Sequence, residues 1–265
     1  ISVMCIQLKA QNLAHDELLL SDLNYRSETN DPYALERCVL DLYLPKNKGF
    51  ATIIWFHGGG LTDGNKYIPE GLKKKEIAGV AANYRLYPKV KSPTFVDDAA
   101  AAVAWVFQNI TSYGGDPKLI FVSGHSAGGY LTSMLGLDKS YLNTYGIDAD
   151  DIAGLIPYSG HTITHFTVRS ELGLNWKDVR VDEMSPLAHI RKDAPPIVLI
   201  TGDRELELFG RYEENAYFWR MLKCIGHPYV ELYELEGYNH DDMAVPAHHI
   251  LLKSISKILS DNILR

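Results

Sequence analysis

Short apolar runs and longer stretches of helical periodicity take turns along this chain. Residues 17–25 and 37–44 read as strands separated by a polar, proline-containing turn, and Pro45-Lys46-Asn47-Lys48-Gly49 supplies the next reversal, so the opening predicts an antiparallel pair. Residues 51–56 are apolar throughout, as expected of a strand buried on both faces, and residues 76–84 form another such strand. A helix is predicted over about 95–110, where Phe95, Ala99, Ala102, Val103, Val106 and Ile110 recur at helical spacing. Then come a strand over 118–122, a helix over 131–137 and a strand over 152–158. A polar and aromatic insertion without clear period fills 159–187. It is followed by a strand over 196–201, a helix over 208–224, a strand over 229–235 and a closing helix over 244–259 with Leu251, Ile255, Ile258 and Leu259 on one face. This alternation predicts an α/β fold, a twisted and mostly parallel sheet with helices on both faces.

Composition narrows the class. At 265 residues, 46% of them hydrophobic, the chain can bury the core of one large domain, with 159–187 as a cap-like insertion. A net charge of -7, with Lys73-Lys74-Lys75 the one cluster of basic residues, argues against a nucleic-acid or anionic-membrane partner. No apolar run approaches the roughly 20 residues that span a bilayer. Cys5, Cys38 and Cys224 are odd in number and lack metal-ligand spacing, so they read as plain thiols. They favour a reducing, cytoplasmic compartment, with a secreted or periplasmic mature form as the alternative. The start Ile1-Ser2-Val3-Met4 reads as a processed product or as a remnant preceding a native Met4.

Candidate chemistry centres on Gly124-His125-Ser126-Ala127-Gly128, which follows a β-prone run and opens a helical stretch. In a strand–turn–helix G-x-S-x-G the serine is lifted above the sheet at a helix N-terminus, and the glycines avoid collisions with the neighbouring segment. Ser126 is therefore a candidate nucleophile. A serine hydroxyl needs a positioned base, and that base needs an acid to fix its tautomer. His240 ends the last strand in Glu236-Gly237-Tyr238-Asn239-His240, and Asp203 and Glu205 follow the strand ending at Gly202, the sheet edge where open α/β folds place their sites. His15, His189, His227, His248 and His249 have no comparable position. His57-Gly58-Gly59-Gly60 suits an oxyanion hole, because consecutive glycines let N–H groups approach a substrate, and Gly59, Gly60 and Ala127 are the candidate donors. No Lys-Ser/Thr follows these glycines as a P-loop requires. Asp97 and Asp98 read as helix N-terminal charges.

Taken in order, HGGG at 57–60, NYRL at 83–86, YGGDP at 113–117, GHSAGG at 124–129, the G-x-x-acid turn at 202–205 and a strand-end His240 resemble an α/β-hydrolase. Within that fold the chain resembles the hormone-sensitive-lipase-like esterases and the carbohydrate and feruloyl esterase branch, from about Arg37 onward. Tyr87-Pro88-Lys89 departs from the Ala-Pro-Glu usual in the lipase-like branch. The resemblance implies Ser126 as nucleophile, His240 as base and Glu205 as acid by its spacing from the strand-end glycine, with Asp203 as the alternative. It also implies a cap at 159–187 that Phe166, Trp176, His161 and His165 are candidates to line, and substrate contacts from His57, Gly58 and His125. The expected activity is hydrolysis of short-acyl esters, acetyl or feruloyl esters of carbohydrates among them, through an acyl-enzyme and without metal or organic cofactor. An arylformamidase of the kynurenine-pathway type is the alternative enzyme, and a catalytically silent hydrolase-like binding protein the alternative of another class.

Overall fold

The computed structural model describes residues 9–13, 17–208 and 210–261. Ile1 to Met4, Cys5 and His15 lie outside them.

Among the described residues, nine strands form one sheet. β1 (Lys9–Leu13), β2 (Glu17–Asn24) and β3 (Val39–Leu44) pair antiparallel, with the short helix α1 (Pro32–Arg37) between β2 and β3. β4 (Phe50–Phe56) and β5 (Ala78–Ala82) follow, then the helix α2 (Thr94–Tyr113), β6 (Gly115–His125) and the helix α3 (Ala127–Leu137). After the short α4 (Lys139–Asn143) come β7 (Gly154–Tyr158), α5 (Phe166–Glu171), β8 (Ile197–Gly202), α6 (Arg211–Cys224), β9 (Val230–Leu235) and α7 (Ala244–Ser260). The spatial order is β1-β2-β3-β5-β4-β6-β7-β8-β9, and the ladders from β5 through β9 are parallel.

β4 shows why the apolar runs carry no alternation. All seven of its residues are buried. Ile54 and Phe56 join the cluster under α2, α3 and α6, whereas Ile53 and Trp55 join the opposite cluster under α7, with Leu251, Ile255 and Ile258. A strand covered on both faces gains from apolar side chains at every position. Between β4 and β6 the winding direction of the sheet reverses, since β5 lies on one side of β4 and β6 on the other. Phe56 pairs with Gly124 in that ladder, so the loops after β4 and β6 emerge side by side, and a crevice opens outside strand ends at such a switch point. Nearby, Asp98 is fully buried and holds Arg85 through two contacts of 2.7 and 2.8 Å, an anchor for the NYRL segment rather than a free helix-end charge. Cys38 is buried and Cys224 exposed, both as free thiols.

Candidate active site

Ser126 sits alone between β6 and α3 with φ 57° and ψ -114°. A side-chain-bearing residue in this region is strained, and the surroundings hold it there. Its N–H donates to Tyr158 O (2.8 Å), and its carbonyl accepts from Tyr130 N (3.0 Å). The elbow presses directly on the end of β4. A Cβ at Gly128 would fall 2.0 Å from Phe56 O, and one at Gly124 would fall 2.6 Å from the Gly128 carbonyl carbon, so neither position admits a side chain.

His240 reaches back from the loop after β9. Its Nε2 lies 2.9 Å from Ser126 Oγ, and its Nδ1 lies 2.7 Å from Oε2 of Glu207. The structure thus places Glu207, not Glu205 or Asp203, against the imidazole. The reason lies in the turn after β8. Asp203 caps that turn: its Oδ1 accepts from Glu205 N (2.9 Å), its carbonyl from Glu207 N (2.8 Å), and its Oδ2 from Gly237 N (2.7 Å). One helical turn beyond Asp203 returns the chain over the strand end, which brings Glu207 inward and leaves Glu205 exposed to solvent. An aspartate directly after a strand-end glycine is a strong turn-capping residue, and that was the sequence signal for an acid four positions later.

Glu207 is saturated with donors. Oε1 accepts from the Gly202 N–H (2.9 Å) and the Ser159 hydroxyl, and Oε2 accepts from Leu208 N (3.0 Å) and the imidazole. Burial alone would raise this carboxyl, but the hydrogen bond and charge of His240, with the bonds from Ser159 and Gly202, bring it down to about 2. The carboxylate is therefore ionised at neutral pH.

The glycine turn lies beside the serine. A Cβ at Gly58 would stand 3.3 Å from Ser126 Cβ, and one at Gly60 would stand 2.9 Å from the Phe166 ring. The Gly60 carbonyl accepts from Thr167 Oγ1 (2.5 Å), and Ala127 opens α3, whose first N–H groups have no partner within the helix. His57 and His125 each make contacts within the protein. The His57 ring stacks on Tyr84 at 4.5 Å, with Nδ1 2.7 Å from Gly58 O. His125 packs on the His240 ring, and its Nε2 lies 2.8 Å from His240 O, so it steadies the loop that carries the base.

A cavity of about 640 Å³ opens between the 159–187 segment and the start of α6, lined by His161, Phe166, Arg169, Trp176, Leu208 and Glu214 among others. Three of the four residues named for the 159–187 segment, His161, Phe166 and Trp176, are in its lining. His165 is not, because it is buried behind with Nδ1 accepting from Thr167 N (3.1 Å). His161 Nδ1 lies 2.7 Å from Glu214 Oε1. Burial would raise the Glu214 carboxyl, but His161, Arg211 and the Ile163 N–H hold it below the usual carboxylate range. Among the described residues, no three His, Cys, Asp or Glu side chains gather as a metal site.

Solved structures share this architecture. A truncated carbohydrate esterase from gut microbiota superposes with a TM-score of 0.75 at 18% identity, covering 91% of this chain and 95% of that one. Esterase 2 of the planctomycete Thermogutta terrifontis gives 0.69 at 24% identity, covering 88% and 90%. The fold is that of the α/β-hydrolases. Residues 40–150 match the family model described as BD-FAE, a span that holds the glycine turn and Ser126 but ends before Glu207 and His240. Two Mycobacterium tuberculosis proteins are similar in sequence: the probable carboxylic ester hydrolase LipM, 28% identical over 55% of this chain and 39% of its own length, and esterase LipQ, 29% identical over 68% and 47%. The chain therefore spans less than half of either relative.

Proposed function

We propose that this protein is a serine carboxylesterase. The observation that carries the reading is the in-line set Ser126 Oγ, His240 and Glu207, at 2.9 and 2.7 Å, beside the glycine turn. In the proposed reaction Ser126 Oγ gives its proton to His240 Nε2 and attacks the ester carbonyl. The oxyanion faces the N–H groups of Gly59, Gly60 and Ala127, and Glu207 stabilises the imidazolium through Nδ1. His240 then protonates the departing alcohol, leaving an acyl-serine. In the second half it deprotonates a water that attacks the acyl carbon, and Ser126 is released with the acid.

The 159–187 segment acts as a cap in this reading. The cavity is not lined by Ser126 or His240 but adjoins the glycine turn through Phe166, and in this reading it receives the bulky half of the ester, either the sugar of an acetylated carbohydrate or a feruloyl acyl group. Rates on 4-nitrophenyl acetate, a feruloyl ester and N-formylkynurenine test it. Ester turnover that falls at least ~10³-fold in both Ser126→Ala and His240→Ala, with folding intact, is expected for residues that act as a unit. Retained turnover in Ser126→Ala overturns the reading, and preference for the formamide reassigns the enzyme as an arylformamidase.

A further inference from the structure

Ser159 is the first residue past β7 and is wholly buried. Its φ of 43° puts a residue other than glycine in the left-handed region, a conformation that persists only where surroundings impose it. Three bonds do so. Its N–H donates to Ile200 O (2.8 Å), its carbonyl accepts from Arg211 Nη1, and its hydroxyl donates to Glu207 Oε1. Arg211, the first residue of α6, is itself buried, and its Nε donates to Glu214 Oε1 (3.2 Å).

We propose that Ser159 is a positioning residue of the relay, with Arg211 holding the Ser159 backbone so that its hydroxyl fixes and polarises the Glu207 carboxylate. The inference rests on the esterase reading above. Oε2 faces the imidazole, while Oε1 is tied by one hydroxyl and one amide, so the carboxylate plane cannot turn. A hydroxyl bound to Oε1 also withdraws electron density from the carboxylate and weakens its hold on the imidazolium. Its removal has two effects of different kind: the imidazole becomes more basic, and the carboxylate becomes worse aimed. A residue that only filled space would produce neither a shifted titration nor a specific loss of kcat.

The substitution at Ser159 removes none of the other titratable groups that face the relay. His240 faces Glu207, His125 from the end of β6, and Asp241 beside it in the chain. Glu207 faces His240, His125 and Arg211 of α6, and Arg211 carries Glu214 as its partner. A shift in the pH profile is therefore assignable to the lost hydroxyl.

The test is the pH dependence of kcat/KM on 4-nitrophenyl acetate for Ser159→Ala and Ser159→Cys. Cysteine fills the γ position but is a weak donor. Both variants are expected to lose about tenfold in kcat with KM nearly unchanged, as befits a hydrogen bond to a charged group. Both are also expected to raise the acid limb of the profile by about half a unit or more. An unshifted limb in the variants, or a cysteine variant with wild-type kcat, overturns the proposal, and the cysteine variant answers alone if alanine does not fold. Ser126→Ala separates the two levels: its retained turnover sinks the esterase reading, whereas its inactivity beside wild-type behaviour of the Ser159 variants sinks this inference alone.

Discussion

Glu207 lies four residues after Asp203, and that one turn of winding decides which of three carboxylates can meet the imidazole. Glu207→Gln keeps the shape but offers an amide where the Nδ1–H needs an anion, so kcat/KM for ester hydrolysis is expected to fall by about 10³-fold or more. Glu205→Gln, on the solvent side of the turn, is expected to stay within about twofold. A loss from Glu205→Gln that equals the loss from Glu207→Gln in the same assay would contradict the relay drawn from the geometry. Ser126 and His240 were legible in the sequence because each is marked locally, one by the glycines of its elbow and the other by its place after the last apolar strand. Glu207 was marked only indirectly, by the turn-capping Asp203 four positions before it, and spacing counted from Gly202 alone points to Glu205 instead.

At the scale of elements, α3 and β4 meet with no room between them. Gly128→Ala would drive a methyl group to 2.0 Å from the Phe56 carbonyl oxygen, and backbone in mid-sheet cannot yield as a side-chain tip can. Such a variant is expected to lose about 3 kcal/mol of stability in urea unfolding, a value at the upper end for overpacking. Gly146→Ala meets no atom within 4 Å and bears only the strain of φ +72°, so its expected loss is about 1 kcal/mol. The same glycines explain a misplaced boundary: apolar periodicity predicted the helix from 131, yet α3 starts at Ala127, because Gly128 and Gly129 have no side chains to show the period. The buried strands were legible from their unbroken apolar runs. The six-residue helices α1 and α5 are too short to display any period, and α6 begins at Arg211 rather than 208 because the preceding residues are taken up in presenting Glu207.

For the molecule as a whole, buried histidines set the acid limit. Burial holds His57, His125, His161 and His248 down to about 4, and His165 well below its ordinary 6.5, so all five are neutral in the folded state over a range where the unfolded chain binds protons. Stability is then complete above pH 6.5 and declines as pH falls from 6.5 toward 4, by an amount on the order of several kcal/mol. Glu207, depressed to about 2, contributes stability that starts to be lost only below about 4.5. Thermal midpoints measured from pH 7.5 down to 4.5 should therefore drop most steeply below 6.5, and a flat profile would contradict the neutral burial of these rings. Asp203, passed over as a catalyst, shapes how the molecule tolerates motion. Its carboxylate grips Gly237, and its N–H binds the Tyr238 carbonyl at 2.8 Å, which fastens the segment bearing the acid to the segment bearing the base. Acid and base thereby travel as one cassette on the final two strands. The grip of the carboxylate on the ring is thus set within the last two strands, whereas the 2.9 Å between imidazole and serine also depends on where β6 and α3 hold Ser126.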